Sequence, residues 1–168
     1  MGTSLFISLV FYRHPLKKFF FSEKVTFFYF TTLIGFLLFT SSKDLVSLFI
    51  SLEISTLGIS ILLSFLDPNR KSLEGSFKFF IMGLISSTFI LLGVAFLYAS
   101  TGSLILNEIF FNISEIKNFN WFFAGTGFIF CGLFSKLALA PFHSWMPDSY
   151  ESGPTGITAL LATSYKNV

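Results

Sequence analysis

Residues 79–107 read FFIMGLISSTFILLGVAFLYASTGSLILN, 29 consecutive positions without an Asp, Glu, Lys or Arg. A helix crosses a bilayer with about 20 predominantly apolar residues, so this stretch decides the fold class: an all-α, polytopic transmembrane bundle. Similar runs flank it. Residues 25–42 give 18 charge-free positions, 45–66 give 22 with Glu53 as the one charge, and 118–135 give 18 more before Lys136. Spans are expected at 25–42, 45–66, 77–99 and 119–140. A fifth opens near Pro154 and, at ~1.5 Å per residue, reaches only about 21 Å by Val168. The chain is therefore expected to stop inside the membrane. The whole chain forms one membrane domain, with 1–24 as an interfacial N-terminal segment. Its apolar run 5–12 is too short to span, and Arg13, Lys17 and Lys18 follow that run, the wrong order for a secretory signal.

Composition excludes the alternatives. Charged residues make up 12% of the 168, against about 25% in soluble domains, too few for a polar shell. Mean hydropathy is +0.76, which disorder does not tolerate. The net charge of +2 has no basic stripe behind it, so nucleic-acid binding has no support. The one cysteine, Cys131, forbids an internal disulfide or a cluster held by this chain alone, and is expected to pack as a small apolar residue. The 26 phenylalanines fit an AT-rich coding genome such as an organelle's. The sequon at Asn112 carries no weight, and no internal repeat is visible.

Loop charge sets the orientation. The N-terminal side and the second-to-third connection hold Arg13, Lys17, Lys18, Lys24, Arg70 and Lys71; the other side holds Lys43 and Lys117. The N-terminus should face the positive-inside compartment. Asp67-Pro68-Asn69-Arg70 has turn chemistry, and Ser72 is placed to cap the third helix.

Charges at membrane depth carry the functional signal. Glu53 lies about 12 Å along its helix from Leu45; Lys136 and Lys166 are also well inside. Each costs roughly 2.5–3.5 kcal/mol on translocon scales and faces the bundle interior or a water path. A proton or ion pathway is one reading; a structural ion pair or a snorkelling lysine is the plainer one. Glu53 is too short to snorkel and has Lys136 as a possible partner. Lys78, at the positive-inside end of the third span, fits snorkelling. His143 lies between Pro141 and Pro147, which end the fourth span just after Lys136. A lysine beside a helix break is a transporter-like signature; His143 by itself reads more simply as a loop hydrogen-bonding residue. No nucleophilic triad or phosphate loop is present, and Gly125-Thr126-Gly127 lies within an apolar helix.

Residues 132–150, GLFSKLALAPFHSWMPDSY, closely resemble a signature of the antiporter-like membrane subunits of respiratory NADH:ubiquinone oxidoreductase (complex I), within them the subunit 2 family. Residues 47–55, SLFISLEIS, resemble that family's glutamate helix; 72–80, SLEGSFKFF, its next helix; and 158–166, TALLATSYK, its lysine helix. The resemblance implies a fold of fourteen helices with two inverted five-helix repeats, of which this chain looks like the first, helices four to eight. It implies Glu53 paired with Lys136 on a broken helix, Lys166 as a connecting lysine, and Lys78 as a further proton-transfer residue. It also implies the mitochondrial inner membrane with the N-terminus on the matrix side. No cofactor is expected here; NADH, FMN, iron–sulfur clusters and ubiquinone would sit in other subunits. The missing second repeat means either a fragment or a subunit encoded in pieces; the split reading is favoured, with a second chain completing it beside the other membrane-arm subunits and lipid. The rival readings are a cation/proton antiporter subunit and a scaffold piece without pumping.

Overall fold

The computed structural model describes residues 23–66, 70–111 and 118–152. Its helices are α1 Glu23–Ser41, α2 Leu45–Leu66, α3 Arg70–Thr101, α4 Leu106–Phe111, α5 Phe119–Lys136 and α6 Trp145–Ser152. No strand occurs among the described residues; the all-α expectation holds. Leu45–Ser64 and Leu73–Thr101 are long and apolar enough to cross a membrane, and Thr26–Ser41 is a shorter apolar helix. Phe27, Phe30, Phe77 and Phe123 stand exposed on the outside of the bundle. Large side chains of this kind, all round a structure, suit hydrocarbon rather than water.

The hub is α3, which packs against α2, α5 and α6, while α1 packs on α2. Small residues explain how closely these helices approach. A Cβ on Gly93 would stand 2.6 Å from the Gly125 carbonyl oxygen, and one on Gly132 would stand 2.7 Å from the Ser86 oxygen. Ser86 and Gly93 are seven residues apart, as are Gly125 and Gly132; the pairs meet in reverse order, so α3 and α5 run antiparallel. With no hydrophobic drive between helices in lipid, such backbone proximity is what holds them. Between α1 and α2, Gly35 meets the Ser55 backbone in the same way.

The structure departs from expectation in four details. First, α3 runs to Thr101, two residues past the span expected to end at 99, where Gly102, at φ 75°, adopts the left-handed conformation that glycine takes at no Cβ cost. The short helix α4 comes next. The turn before α2 is clamped to the loop before α4, with Leu45 N donating to Leu104 O (3.0 Å) and Leu106 N to Lys43 O (3.1 Å). Asp44 caps α2 by accepting from Ser47 N (2.8 Å) and Ser47 Oγ (2.9 Å), and those bonds hold its carboxyl below the usual range. Secondly, α3 begins at Arg70 and runs through Ser72, which is therefore inside the helix and not its cap. Thirdly, α5 ends at Lys136, four residues short of the span expected to 140. Lastly, Cys131 is exposed on the bundle surface, not packed. The interfacial segment, the 67–69 part of the second turn, the Asn112 sequon and the fifth span lie outside the described residues.

Candidate functional site

The helix stop that presents Lys136 is built from local chemistry. Pro141 has no N–H and its ring excludes a helical carbonyl four residues back, while the residue before a proline avoids the helical region. Helix α5 ends ahead of that obstacle with a reverse pair of hydrogen bonds: Leu139 N donates to Phe134 O (2.9 Å) and Ala138 N to Ser135 O (3.3 Å). This is a Schellman stop, which needs a left-handed residue just past the cap. Ala138 supplies it at φ 50°, where glycine is usual. Lys136 is thus the last helical residue, at the negative end of the α5 dipole.

The segment beyond the stop folds back and is pinned. Trp145 Nε1 donates to Ser135 O (3.1 Å), and its ring meets Phe79 edge-on at 5.2 Å. The Ser149 hydroxyl lies 2.9 Å from Trp145 O and 3.4 Å from Gly75 O, tying α6 to the start of α3. Within the unwound stretch Ala138 is buried, while Leu139, Ala140, Pro141, His143 and Ser144 are exposed on this chain.

Lys136 Nζ donates to Glu53 Oε1 at 2.8 Å, joining α5 to α2 across 83 residues of sequence. The lysine side chain is 3% exposed and the glutamate 21%. Ser86, Ser135 and Thr56 are buried beside it. The Ser86 and Ser135 hydroxyls are 2.8 Å apart, and Thr56 Oγ1 donates towards the Leu52 and Glu53 carbonyls, 3.0 Å each. Removing one partner of such a pair leaves an uncompensated charge and costs about 3–5 kcal/mol, whereas replacing both with apolar groups is often neutral. Stability alone therefore does not explain why the charges are here. What the arrangement offers chemically is a proton donor and an acceptor in direct contact, the lysine shielded from solvent and the glutamate partly exposed.

The other expected site residues fall elsewhere. Lys78 pairs with Glu74 one turn away on α3 at 2.9 Å, with side chains 44% and 64% exposed. His143 is exposed in the turn before α6, where its carbonyl accepts from Met146 N (3.2 Å). Lys166 lies outside the described residues. Among the described residues, no group of three His, Cys, Asp or Glu could hold a metal ion. Sequence reasoning missed Thr56, Ser86, Ser135 and Trp145. Thr56 stands three positions after Glu53, so helical spacing was available as a signal for it; Ser135 adjoins Lys136 in sequence and gave no such signal.

Comparison with known proteins shows which family the chain resembles. The family described as NADH:quinone oxidoreductase/Mrp antiporter, TM, matches residues 42–167, a span that contains Glu53, Lys78, Lys136, His143 and Lys166. NADH-quinone oxidoreductase subunit N of Leptospira biflexa is 38% identical over 125 residues, 73% of this chain and 26% of that protein. The subunit N of Bdellovibrio bacteriovorus is 36% identical over 126 residues, 74% of this chain and 26% of that protein. A chain of respiratory complex I from Thermus thermophilus with bound aureothin superposes with TM-score 0.71 and 32% identity, over 81% of this chain and 30% of that one. A chain of an archaeal membrane-bound sulfane sulfur reductase gives TM-score 0.83 over 98% of this chain and 34% of that one, at 24% identity, a likeness of fold. The chain spans about a quarter of the length of the curated relatives it matches.

Proposed function

The chain belongs to the NADH:quinone oxidoreductase/Mrp antiporter transmembrane family, and from that premise we propose that it is a proton-conducting part of the membrane arm of a respiratory complex I. The observation that carries this reading is the 2.8 Å contact between Lys136 and Glu53, buried on two apolar helices beside a helix break. Burial favours the neutral amine and a neighbouring carboxylate favours the ammonium. A change in the separation of Glu53 and Lys136 therefore changes the proton affinity of Lys136. Charge on Lys136 would in turn repel a proton from Lys166, and neutralising it would draw one in. Lys78 and His143 are weaker candidates for the same route.

Only H⁺ moves in these steps. NADH, FMN, the iron–sulfur clusters and ubiquinone would belong to other subunits, which are also its partners. The phenylalanine-rich composition favours the mitochondrial inner membrane, and the loop lysines and arginines favour an N-terminus on the matrix side.

The test is proton pumping by the assembled complex in sealed vesicles. Lys136→Ala should abolish the protons moved per NADH oxidised; unchanged stoichiometry removes Lys136 from the path. Because the family also spans Mrp antiporters, cation/proton exchange without NADH is the second reading. Loss of the proton gradient under complex I inhibitors separates the two. Apolar residues placed at both Glu53 and Lys136 test the scaffold reading, for which pumping would persist.

A further inference from the structure

The turn that joins α1 to α2 borders a recess of about 380 Å³, lined by Leu38, Ser42, Lys43, Asp44, Ser47 and Ile50 among others. That volume lies within the range of about 300–1,000 Å³ typical of small-molecule sites. The recess is graded from polar to apolar. Leu38 and Ile50, each 48% exposed, flank it on the two helices, about one to two turns away from residues 42–44. Because α2 is a membrane span, the apolar flanks lie towards hydrocarbon and the turn lies at the headgroup layer. The polar end carries charges of both signs, and neither is spent on the other. Among the described residues Lys43 makes no ion pair. Asp44 accepts from Ser47 N and Ser47 Oγ, which leaves about half of a carboxylate's lone-pair positions open. The nearby hydroxyl protons are committed, since Ser42 Oγ donates to Phe39 O (2.7 Å) and Ser47 Oγ to Asp44 Oδ1 (2.9 Å). Both serines therefore meet a ligand only as acceptors. A carboxylate and two acceptor hydroxyls suit a group with N–H donors, while Lys43 suits an anionic oxygen. The frame is fixed as well: Leu45 N and Lys43 O are both bonded to the loop before α4, so binding needs little ordering of the turn.

We propose that this recess seats one phospholipid with a primary ammonium headgroup, phosphatidylethanolamine. The phosphate sits on Lys43, the ammonium on Asp44 with Ser42 and Ser47, and an acyl chain runs along Leu38 and Ile50. Only an amphiphile uses all three parts of the recess, the cation, the acceptors and the apolar flanks. Phosphatidylcholine carries the same charges without an N–H to donate, and phosphatidylglycerol carries the phosphate without the cation. Both are the weaker ligands here.

The test places the assembled complex in phosphatidylcholine vesicles holding a trace of phosphatidylethanolamine with a photoreactive diazirine in its acyl chain. Illumination and peptide mass spectrometry then locate the labelled residues. Labelling is expected within residues 38–50, about threefold or more above that by photoreactive phosphatidylcholine at the same trace level, the scale of one exposed ionic contact. Unlabelled phosphatidylethanolamine should compete at a lower concentration than phosphatidylglycerol does. Lys43→Ala and Asp44→Asn, the latter keeping a capping side chain, should each lower this labelling by about threefold or more. Labelling elsewhere on the chain and NADH oxidation should stay at the wild-type level in both variants. Equal labelling by the choline and ethanolamine probes overturns the proposal. So does phosphatidylglycerol competing as well as phosphatidylethanolamine, because the recess would then read a phosphate alone. Labelling insensitive to both substitutions overturns it too. Cross-linking of a photoreactive leucine at position 38 to a neighbouring polypeptide, with no lipid label there, overturns it in favour of a protein occupant.

Discussion

Lys136–Glu53 and Lys78–Glu74 have nearly the same length, 2.8 and 2.9 Å, and opposite surroundings. The second pair joins adjacent turns of one helix, has both side chains at least two-fifths exposed, and forms whenever α3 forms. The first joins two helices, is shielded by Phe79 and Trp145, and exists only because a helix stop sets Lys136 at the right depth. Length says nothing of what each pair does. An exposed i, i+4 pair contributes about 0.3–0.5 kcal/mol, while a buried one resists the loss of either partner by several times that. The lesson is that the costly pair is the informative one.

The comparison breaks most readily at Glu53. Glu53→Ala should destabilise the bundle by about 3–5 kcal/mol by leaving a buried ammonium, read by thermal unfolding in detergent; a loss under about 1 kcal/mol would mean the pair is already hydrated. Gly125→Ala comes next, because a Cβ at that position would stand 2.8 Å from Leu97 N and force α3 from α5. Overpacking of this kind costs about 1–3 kcal/mol, and disulfide cross-linking yields between introduced cysteines on α3 and α5 should fall, with Lys78–Glu74 untouched. Ala138→Gly sharpens the contrast in the other direction. It relieves the left-handed residue of the stop and should raise stability by about 0.5–1 kcal/mol, visible as a higher unfolding temperature with pumping retained. Smallest is Glu74→Ala, expected within about 0.5 kcal/mol of wild type; a larger loss would show that Glu74 has a role beyond its helix.

How much of this could be read from residues alone divides along the same line. Glu53 and Lys136 stand out because charge in an apolar run is rare, and Pro141 and Pro147 announce that the fourth span is broken. The prolines place the stop just after Lys136, but its left-handed geometry is not legible in advance, since Ala138 occupies a position that glycine would have advertised. Nor does Ser72 betray that α3 starts ahead of it: a serine before an apolar run fits a cap as well as a first turn. The hydroxyls around the pair are hidden by their commonness. Ser51, Ser55, Ser60 and Ser64 bond to their own helix carbonyls three residues back, as serines in apolar helices generally do. Only packing distinguishes Ser86 and Ser135 from these, by setting them opposite each other. Lys78, at the end of its span, already reads as a snorkelling lysine, and the assembled bundle leaves it exposed while enclosing Lys136.

The meshing of Ser86 and Gly93 with Gly132 and Gly125 has a kinetic consequence. Backbones that touch at two levels a heptad apart behave like cogs with no clearance, so α3 cannot slide past α5 without first lifting off it. A gate made by translating helices would operate in microseconds to milliseconds; rotation of one side chain takes picoseconds to nanoseconds where it is free. Along this seam the fold blocks the sliding of α3 past α5 and leaves side-chain rotation as the motion open to it.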